Sequence, residues 1–317
     1  MWWKKYLQPK VELKKVPLKQ TSKSGFIEAI PEVADYILGG PNQALKIILS
    51  AERDYTNFLP TGETQSRNFD TYACVSFSAL NNLEIIYKKQ FGTEVNWSDR
   101  YLASMSETIA GQGNTFKKVS DAVRKFGVVP EEEYLWSGNS EQEYLKKPTQ
   151  STVDKGRAWL QSFEVQYEWV GWGGCNPETL YNALQFGPLQ VSVDSSATQT
   201  GIVSSNTDHA VTLYKGTRGR SHGIFDQYNG FAYEVPWNFY FGSAMQFSLM
   251  KKKTLPLFMV YNKPEIYAVV GVTACHIADE TSWKYGEKIG LWKKEIQVYT
   301  QKTFDEMFTR GESIIFK

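Results

Sequence analysis

The chain has 317 residues, and its 35 Lys and Arg side chains against 34 Asp and Glu give a formal net charge of +1. This balance excludes nucleic-acid binding that depends on bulk positive charge. With 42% hydrophobic and 22% charged residues, the composition is typical of a folded globular protein and excludes a disordered chain.

The first 50 residues (1–50) are predicted to form an N-terminal arm. Residues 1–24 are basic and polar and lack the apolar stretch of a secretory signal. Residues 25–38 have a short helical pattern, and residues 44–51 are strand-like. No part of the chain approaches the ~18 consecutive apolar residues of a membrane-spanning helix. We therefore expect neither a signal peptide nor a membrane span, and a cytoplasmic location unless another carrier moves the protein.

A main domain is predicted over residues 51–254, and helices dominate its first half. Apolar residues recur at helical spacing from Cys74 to Gly92, which can end the helix as its left-handed C′ residue. Ser98 is placed to cap a second helix. Further helical patterns cover residues 115–127, 153–163 and 177–187.

Beyond Glu164 the sequence changes to short alternating runs, which are typical of an antiparallel sheet or half-barrel. The runs cover residues 165–172, 188–196, 209–216, 222–230 and 243–251. Because most helices precede the strands, the pattern predicts an α+β fold rather than alternating βαβ units. A basic stretch and a Pro-bounded strand place a boundary near residue 255, so residues 255–317 are predicted to form a small β-rich module.

The three cysteines lie about a hundred residues apart, without the spacing of a disulfide framework or a metal site. We therefore predict no metal and no cofactor. Cys74 follows a turn-rich loop and begins an apolar helix, where the positive end of the helix dipole favours the nucleophilic thiolate. Cys175 lies in a loop and Cys275 in the C-terminal module. Position favours Cys74, although a buried, inert cysteine is the commonest fate of any single cysteine.

A nucleophilic cysteine needs a base, and the chain has only three histidines. His222 lies in a charged turn and is expected to be exposed, and His276 directly follows Cys275. His209 begins a predicted strand 135 residues after Cys74, within the ~130–150 residues that separate these groups in papain-type enzymes. Asp226, 17 residues further on, ends the next strand. Antiparallel pairing of the two strands would bring Asp226 beside His209.

Several segments resemble papain-like cysteine peptidases of the C1 type. CVSFSALNNLE, which starts at Cys74, is similar to their C-W-A-F-S-A helix start. Residues 111–136 resemble the family's Gly-rich loop and following helix, residues 181–196 its G-P-V strand, and residues 208–216 its D-H-A-V strand. The pieces stand in family order over roughly residues 54–250. The resemblance implies a helical left subdomain with a central cysteine-bearing helix and an antiparallel half-barrel as the right subdomain.

By this resemblance Cys74 is the nucleophile, His209 is the base and Asp226 orients the imidazole. An oxyanion hole would combine the backbone N–H of Cys74 with an upstream side-chain amide. We favour Gln65, nine residues before Cys74, and Asn68, at the family's spacing of six, is the alternative. The resemblance places substrate-binding positions at Asn68, Gly113, Asn114 and Asp208.

The chain also departs from the family pattern. FDTYA replaces the Gly-Ser-Cys-Gly-Ser run before the nucleophile, and Asp226 replaces the Asn of the N-S-W-G motif. The indole of that motif would be replaced by Tyr228 or supplied by Trp237. The stretch before the domain is too short for the family's long inhibitory pro-segment, so activation by removal of a pro-segment is not expected.

These features predict a hydrolase that cleaves amide bonds of a peptide or cell-wall peptide through a Cys-His-Asp triad and a thioester acyl-enzyme. Residues 265–317 loosely resemble β-rich modules of phage and cell-wall hydrolases, which favours a phage-encoded protein carried by a virion, in contact with other virion proteins. The alternative is a catalytically inactive papain-like protein with a structural or binding role in a virion, as a tail or capsid accessory.

Overall fold

The structure is a computed structural model, which describes most of the chain after the first 24 residues. The described residues are 25–40, 42–44, 46–62, 64–66, 69–136, 139–196, 205–228, 230–252, 255–260, 266–270, 273–277, 283–284, 292–299, 305 and 309–310. These residues include six α-helices and eleven β-strands. None of these helices has the length and apolar character needed to cross a bilayer.

Helices fill most of the first half of the fold. Their bounds are α1 Cys74–Phe91, α2 Asp99–Met105, α3 Phe116–Phe126, α4 Glu141–Tyr144, α5 Gln150–Ser162 and α6 Pro177–Ala183, with 3-10 turns at Thr56–Phe58 and Glu131–Glu133. Local sequence sets their ends. The Ser98 side chain accepts the backbone N–H of Tyr101 at the start of α2, and Gly92 ends α1 in the left-handed region with a φ of 72°. The predicted ends at these two residues are confirmed.

A six-stranded sheet forms the second half. Its strands are β1 Phe163–Gly171, β2 Leu189–Val193, β3 His209–Thr217, β4 Ser221–Asp226, β5 Phe231–Pro236 and β6 Ala244–Lys251. They lie in the order β1-β6-β2-β3-β4-β5, and every neighbouring pair is antiparallel. The predicted α+β arrangement is confirmed.

Helix α1 is the centre of the molecule, between helices α2 and α3 on one side and strands β3 and β6 on the other. Because α1 is buried from Cys74 to Ile86, its polar groups need partners inside the protein. Nε2 of Gln190 on β2 donates to the Val75 carbonyl at 2.7 Å, and Nδ2 of Asn82 donates to Oγ1 of Thr212 on β3 at 3.1 Å. These hydrogen bonds connect the first half of α1 to the sheet.

Residues 25–50 lie against this body. The helix predicted at residues 25–38 is absent, and no strand covers the described part of residues 44–51, so both predictions are wrong. The physical reason is that the long-range backbone hydrogen bonds of this segment go one or two at a time to separate elements, which leaves neither a continuous helix nor a strand ladder. Leu38 N–H donates to the Trp169 carbonyl at 2.9 Å, Trp169 N–H donates to the Tyr36 carbonyl at 2.9 Å, and Leu49 N–H donates to the Gln185 carbonyl at 2.9 Å.

A second sheet follows residue 254. Its strands are β7 Leu255–Val260, β8 Ile266–Val270, β9 Thr273–His276, β10 Trp292–Tyr299 and β11 Thr309–Arg310. They lie in the order β10-β7-β8-β9-β11, with the two outer pairs parallel and the two inner pairs antiparallel. The domain limits at residues 50 and 254 stay predictions.

Candidate active site

Cys74 is the first residue of α1, and it is fully buried. The residue before it, Ala73, is the N-cap and forms no side-chain capping hydrogen bond. The positive end of the helix dipole is therefore directed toward the region of Cys74. The predicted location of Cys74 at a helix start agrees with the structure.

Strands β3 and β4 bring His209 and Asp226 together. His209 is the first residue of β3 and Asp226 the last residue of β4, and the two strands are antiparallel neighbours. Nε2 of His209 lies 2.9 Å from Oδ1 of Asp226, and both residues are buried. The backbone N–H of Tyr228 donates to the same Oδ1 at 3.0 Å and so fixes the orientation of the carboxylate.

The electrostatics of this pair favour a charged imidazole. Burial lowers the pKa of His209, but the charge and hydrogen bond of Asp226, together with interactions with Cys74, raise it well above its ordinary value. Burial raises the pKa of Asp226, yet His209 and the Tyr228 N–H bring it below its ordinary value. Because Asp226 engages Nε2, Nδ1 is the ring nitrogen that remains to exchange a proton with the Cys74 thiol.

The predicted oxyanion residue Gln65 is fully buried and is linked to Cys74 through Gln227. Nε2 of Gln227 lies 3.4 Å from Oε1 of Gln65, 3.4 Å from the carbonyl oxygen of Cys74 and 2.6 Å from the carbonyl oxygen of Ala210. The backbone N–H of Gln65 also donates to the Gln227 carbonyl at 3.0 Å. Asn68, the alternative to Gln65, lies outside the described residues.

Two residues that the sequence analysis did not single out, Asp70 and Gln227, contact Gln65. Oδ1 of Asp70 accepts Nε2 of Gln65 at 3.2 Å and the backbone N–H of Tyr72 at 2.9 Å. Burial raises the pKa of Asp70, and these hydrogen bonds and the charge of His209 offset the increase only in part. Gln227 directly follows Asp226, at a position where the family motif has Ser. The replacement of a hydroxyl side chain by a longer amide side chain was therefore visible in the sequence. No local pattern marks Asp70.

The predicted substrate-binding residues Asn114 and Asp208 contact the chain's own residues 25–27, which we call the N-terminal segment. Phe26 N–H donates to the Asp208 carbonyl at 3.1 Å, and Ile27 N–H donates to the Asn114 carbonyl at 2.8 Å. Asn114 N–H in turn donates to the Gly25 carbonyl at 2.8 Å. These bonds pair Phe26 with Asn114 as in a parallel sheet.

Gly113 and Phe116 complete the contact with the N-terminal segment. A Cβ on Gly113, whose φ is 98°, would collide with the Gly25 carbonyl, so glycine is required for this approach. The Phe26 side chain is 8% exposed, and its ring lies 4.8 Å from that of Phe116. A backbone segment of the chain itself thus lies on three of the predicted substrate-binding residues, Gly113, Asn114 and Asp208.

The prediction of an exposed His222 is wrong. His222 lies in β4 and is fully buried, because the strand begins at Ser221 and turns the imidazole into an aromatic cluster. Its ring stacks on Trp237 at 4.7 Å and meets Phe241 edge-on at 5.6 Å. Burial lowers the pKa of His222 to about 4, and the Trp237 backbone opposes this shift only in part.

An aromatic ring also lies beside His209. It belongs to Tyr228, at a centroid distance of 6.3 Å, whereas Trp237 stacks on His222. Of the two rings that the resemblance left open, Tyr228 is therefore the one that lies beside His209.

Cys175 has a different environment from Cys74. Its Sγ lies 3.6 Å from the Gly242 carbonyl, and burial raises its pKa to about 12. The side chain of Cys275 lies outside the description. Among the described residues, no three His, Cys, Asp or Glu side chains are grouped to hold a metal ion.

No protein-family model and no curated protein matches the chain, but solved structures do. Xylellain, a cysteine protease from Xylella fastidiosa, aligns at 15% identity with a TM-score of 0.53 over 75% of this chain and 100% of its own. Procathepsin L 3 from the larval midgut of Tenebrio molitor aligns at 15% identity over 63% of this chain and 70% of its own, with a TM-score of 0.49. The similarity to xylellain confirms the predicted papain-like fold.

Proposed function

We propose that the chain is a papain-type thiol hydrolase that cleaves peptide or amide bonds. The observation that carries this proposal is the environment of His209, whose pKa is raised by the carboxylate of Asp226 and by Cys74, against the effect of burial. A thiol at the start of a buried helix, next to a base that a third side chain orients, has the parts needed for nucleophilic catalysis. The shared fold with a cysteine protease supports the same reading.

In the proposed reaction, His209 accepts the thiol proton of Cys74, and Sγ attacks the carbonyl carbon of the scissile amide. The π electrons of the C=O bond move to oxygen, and this oxyanion accepts hydrogen bonds from the Cys74 backbone N–H and Nε2 of Gln65. The C–N bond then breaks, and His209 gives its proton to the leaving amine. The acyl group stays on Cys74 as a thioester.

Hydrolysis of the thioester completes the cycle. His209 takes a proton from water, whose oxygen attacks the thioester carbonyl. The C–S bond breaks, the carboxylic acid leaves, and His209 returns the proton to the Cys74 sulfur. Asp226 holds the imidazole through Nε2 in both half-reactions.

The N-terminal segment supports a peptide as the substrate class. Asn114 and Asp208 bind it through backbone groups, a type of recognition that suits any extended peptide. Because the Phe26 ring packs on Phe116, we expect a substrate that displaces the segment to place a large apolar side chain against Phe116. Because a substrate must displace the segment from these residues, we expect weaker docking of the segment to raise activity.

Labelling with an epoxysuccinyl probe at neutral pH, followed by peptide mapping, tests the proposed function. The full-length chain is compared with a Phe26→Ala, Ile27→Pro variant, in which proline removes the N–H that bonds to the Asn114 carbonyl. We expect Cys74 to be labelled faster in this variant than in the parent chain. Addition of His209→Ala should abolish this labelling. Cys175 serves as the internal control and should react slowly throughout.

Equal, slow labelling of Cys74 and Cys175 that is insensitive to His209→Ala would contradict an enzyme. It would favour the inactive binding or structural protein instead. The phage-borne setting, with other virion proteins as partners, rests only on the sequence pattern of residues 265–317. Release of peptides from purified peptidoglycan, measured by chromatography, would support a cell-wall target, and cleavage of ordinary peptides alone would contradict it.

A further inference from the structure

The carboxamide of Gln65 has a defined orientation because Gln227 faces it. Nε2 of Gln227 lies 2.6 Å from the Ala210 carbonyl and 3.4 Å from the Cys74 carbonyl. Carbonyl oxygens only accept hydrogen bonds, so the group of Gln227 that faces them has to be its NH₂. The same NH₂ lies 3.4 Å from Gln65, which must present its oxygen there.

Asp70 completes this orientation on the other side of Gln65. With Oε1 directed to Gln227, Nε2 of Gln65 points to Oδ1 of Asp70 at 3.2 Å. That oxygen is itself held by the backbone N–H of Tyr72 at 2.9 Å. The NH₂ of Gln65 has two hydrogens and Asp70 takes one, so one hydrogen remains for a ligand.

Burial makes the reversed orientation unfavourable. Gln65 and Gln227 are fully buried, and Oδ2 of Asp70 is buried without a hydrogen-bond partner among the described residues. A flipped Gln65 would set two NH₂ groups against each other and its oxygen against the carboxyl of Asp70. Without water to replace the lost hydrogen bonds, these contacts oppose the flip.

We propose that Asp70 and Gln227 are positioning residues that hold an N–H of Gln65 toward the oxyanion formed at Cys74. This inference rests on the proposed function, since it assumes that Gln65 stabilises that oxyanion. Gln227 also bonds to the Cys74 carbonyl and to Ala210, the residue after His209. One side chain therefore sets the amide donor relative to both the nucleophile and the base.

The environment of Asp70 keeps its Oδ1 as a hydrogen-bond acceptor for Gln65. Burial raises the pKa of Asp70, while its hydrogen bonds from Tyr72 and Gln65 and the charge of His209 lower it. The hydrogen bonds from Tyr72 and Gln65 both go to Oδ1, so this oxygen acts as the acceptor that holds the Gln65 amide.

Two small reagents separate oxyanion stabilisation from thiolate reactivity. p-Nitrophenyl acetate acylates the Cys74 sulfur through a tetrahedral oxyanion and releases p-nitrophenolate. Iodoacetamide alkylates the same sulfur by displacing iodide from a saturated carbon, and no oxyanion forms. Both rates are measured in the full-length Phe26→Ala, Ile27→Pro variant, with modification of Cys74 followed by peptide mapping. The ratio of acylation to alkylation reports the oxyanion hole.

The expected effects follow from the hydrogen bonds. Gln65→Ala should lower the ratio by about 100-fold, as for loss of one oxyanion donor. Gln227→Glu keeps the shape but replaces the donor with an acceptor, which draws Nε2 of Gln65 away from Asp70, and should lower the ratio by about 10-fold or more. Asp70→Ala should also lower it by about 10-fold. Asp70→Asn keeps an acceptor oxygen and should stay within about threefold of the parent.

Two comparisons test whether Asp70 and Gln227 act through Gln65. In a Gln65→Ala background, Asp70→Ala and Gln227→Glu should each change the ratio by less than about twofold, because the residue they position is gone. Gln190→Glu is the matched control. Gln190 is also buried and donates to a carbonyl of α1, that of Val75, but the structure gives it no hydrogen bond to Gln65 or Asp70. In Gln190→Glu the ratio of acylation to alkylation should stay at the parent value even if the rates of both reactions fall.

Equal losses of acylation and alkylation in Asp70→Ala and Gln227→Glu, or effects that persist in the Gln65→Ala background, would overturn the positioning role. Fast alkylation of Cys74 that depends on His209 would leave the proposed function standing in that case. Alkylation of Cys74 as slow as that of Cys175 would overturn the proposed function, and the inference with it.

Discussion

The two buried histidines of the six-stranded sheet lie on neighbouring strands but have opposite electrostatics. His209 begins β3 beside the Asp226 carboxylate, and its pKa is raised well above the ordinary value. His222 lies in β4 against Trp237, and its pKa is lowered to about 4. Burial lowers the pKa of both imidazoles. The difference comes from Asp226 first and from Cys74 second, so burial alone does not make a histidine a competent base.

The same contrast gives the two histidines opposite effects on stability. In the unfolded chain the pKa of both imidazoles is about 6.5. The pKa of His209 is raised in the folded state, so protonation of its imidazole stabilises the fold. This contribution is complete below the unfolded-state pKa and is lost as the pH rises through the folded-state pKa. His222, with a lowered folded pKa, is protonated first in the unfolded chain, so the fold loses stability as the pH falls from about 6.5 toward 4.

The largest expected effect is that of His209→Ala on activity. Removal of the base should lower the rate of Cys74 modification or peptide hydrolysis by about 10³-fold or more. His222→Phe, the matched change in the neighbouring strand, should leave activity within about threefold because His222 contacts no proposed catalytic group. Rates measured side by side at neutral pH test this. Similar losses in both variants would remove the functional distinction between the two histidines.

Asp226→Asn should make His209 resemble His222. The variant keeps the size of the side chain but removes the charge that raises the pKa of His209, so burial should bring that pKa below its ordinary value. We expect activity to fall by only about 10-fold, because the amide oxygen of Asn, the residue that the N-S-W-G motif has at this position, still accepts the Nε2 proton of His209. Titration of the imidazole by NMR measures the shift directly. A pKa that stays raised in Asp226→Asn would assign the effect to Cys74 rather than to the carboxylate.

His222 should make the fold sensitive to acid. From a pKa of about 4 in the folded state and about 6.5 in the unfolded state, His222 should remove about 2 kcal/mol of stability between pH 7 and pH 5. Urea unfolding at the two pH values measures this loss. In His222→Phe the loss should be smaller by that amount, and an unchanged loss would show that the imidazole is not buried in its neutral form.

The smallest expected effect is that of Cys175→Ala. Burial raises the pKa of Cys175 to about 12, so its thiol stays protonated and unreactive near neutral pH. Activity in the variant should stay within about twofold of the parent. A larger loss, measured with the same probe used for Cys74, would mean that the loop before α6 contributes to the site.

Short-range patterns were sufficient for much of this protein. The Ser98 cap and the Gly92 helix end depend on groups a few residues away, and the alternating runs after Glu164 became strands because one local period recurs in each. The placement of Cys74 at a helix start and the pairing of His209 with Asp226 follow from the same local elements plus one antiparallel contact.

The remaining features depend on contacts between distant residues, and only the tertiary structure decided them. The local sequence around His222 is charged and predicted an exposed turn. His222 is buried instead because an aromatic cluster from Trp237 and Phe241 covers it. The N-terminal segment found its partners about ninety to almost two hundred residues away, at Asn114 and Asp208. The orientation of the Gln65 amide requires Asp70 and Gln227 at once. Local sequence thus determined the elements and the positions of Cys74, His209 and Asp226 in them, whereas packing determined the hydrogen bonds and the charge environment of these side chains.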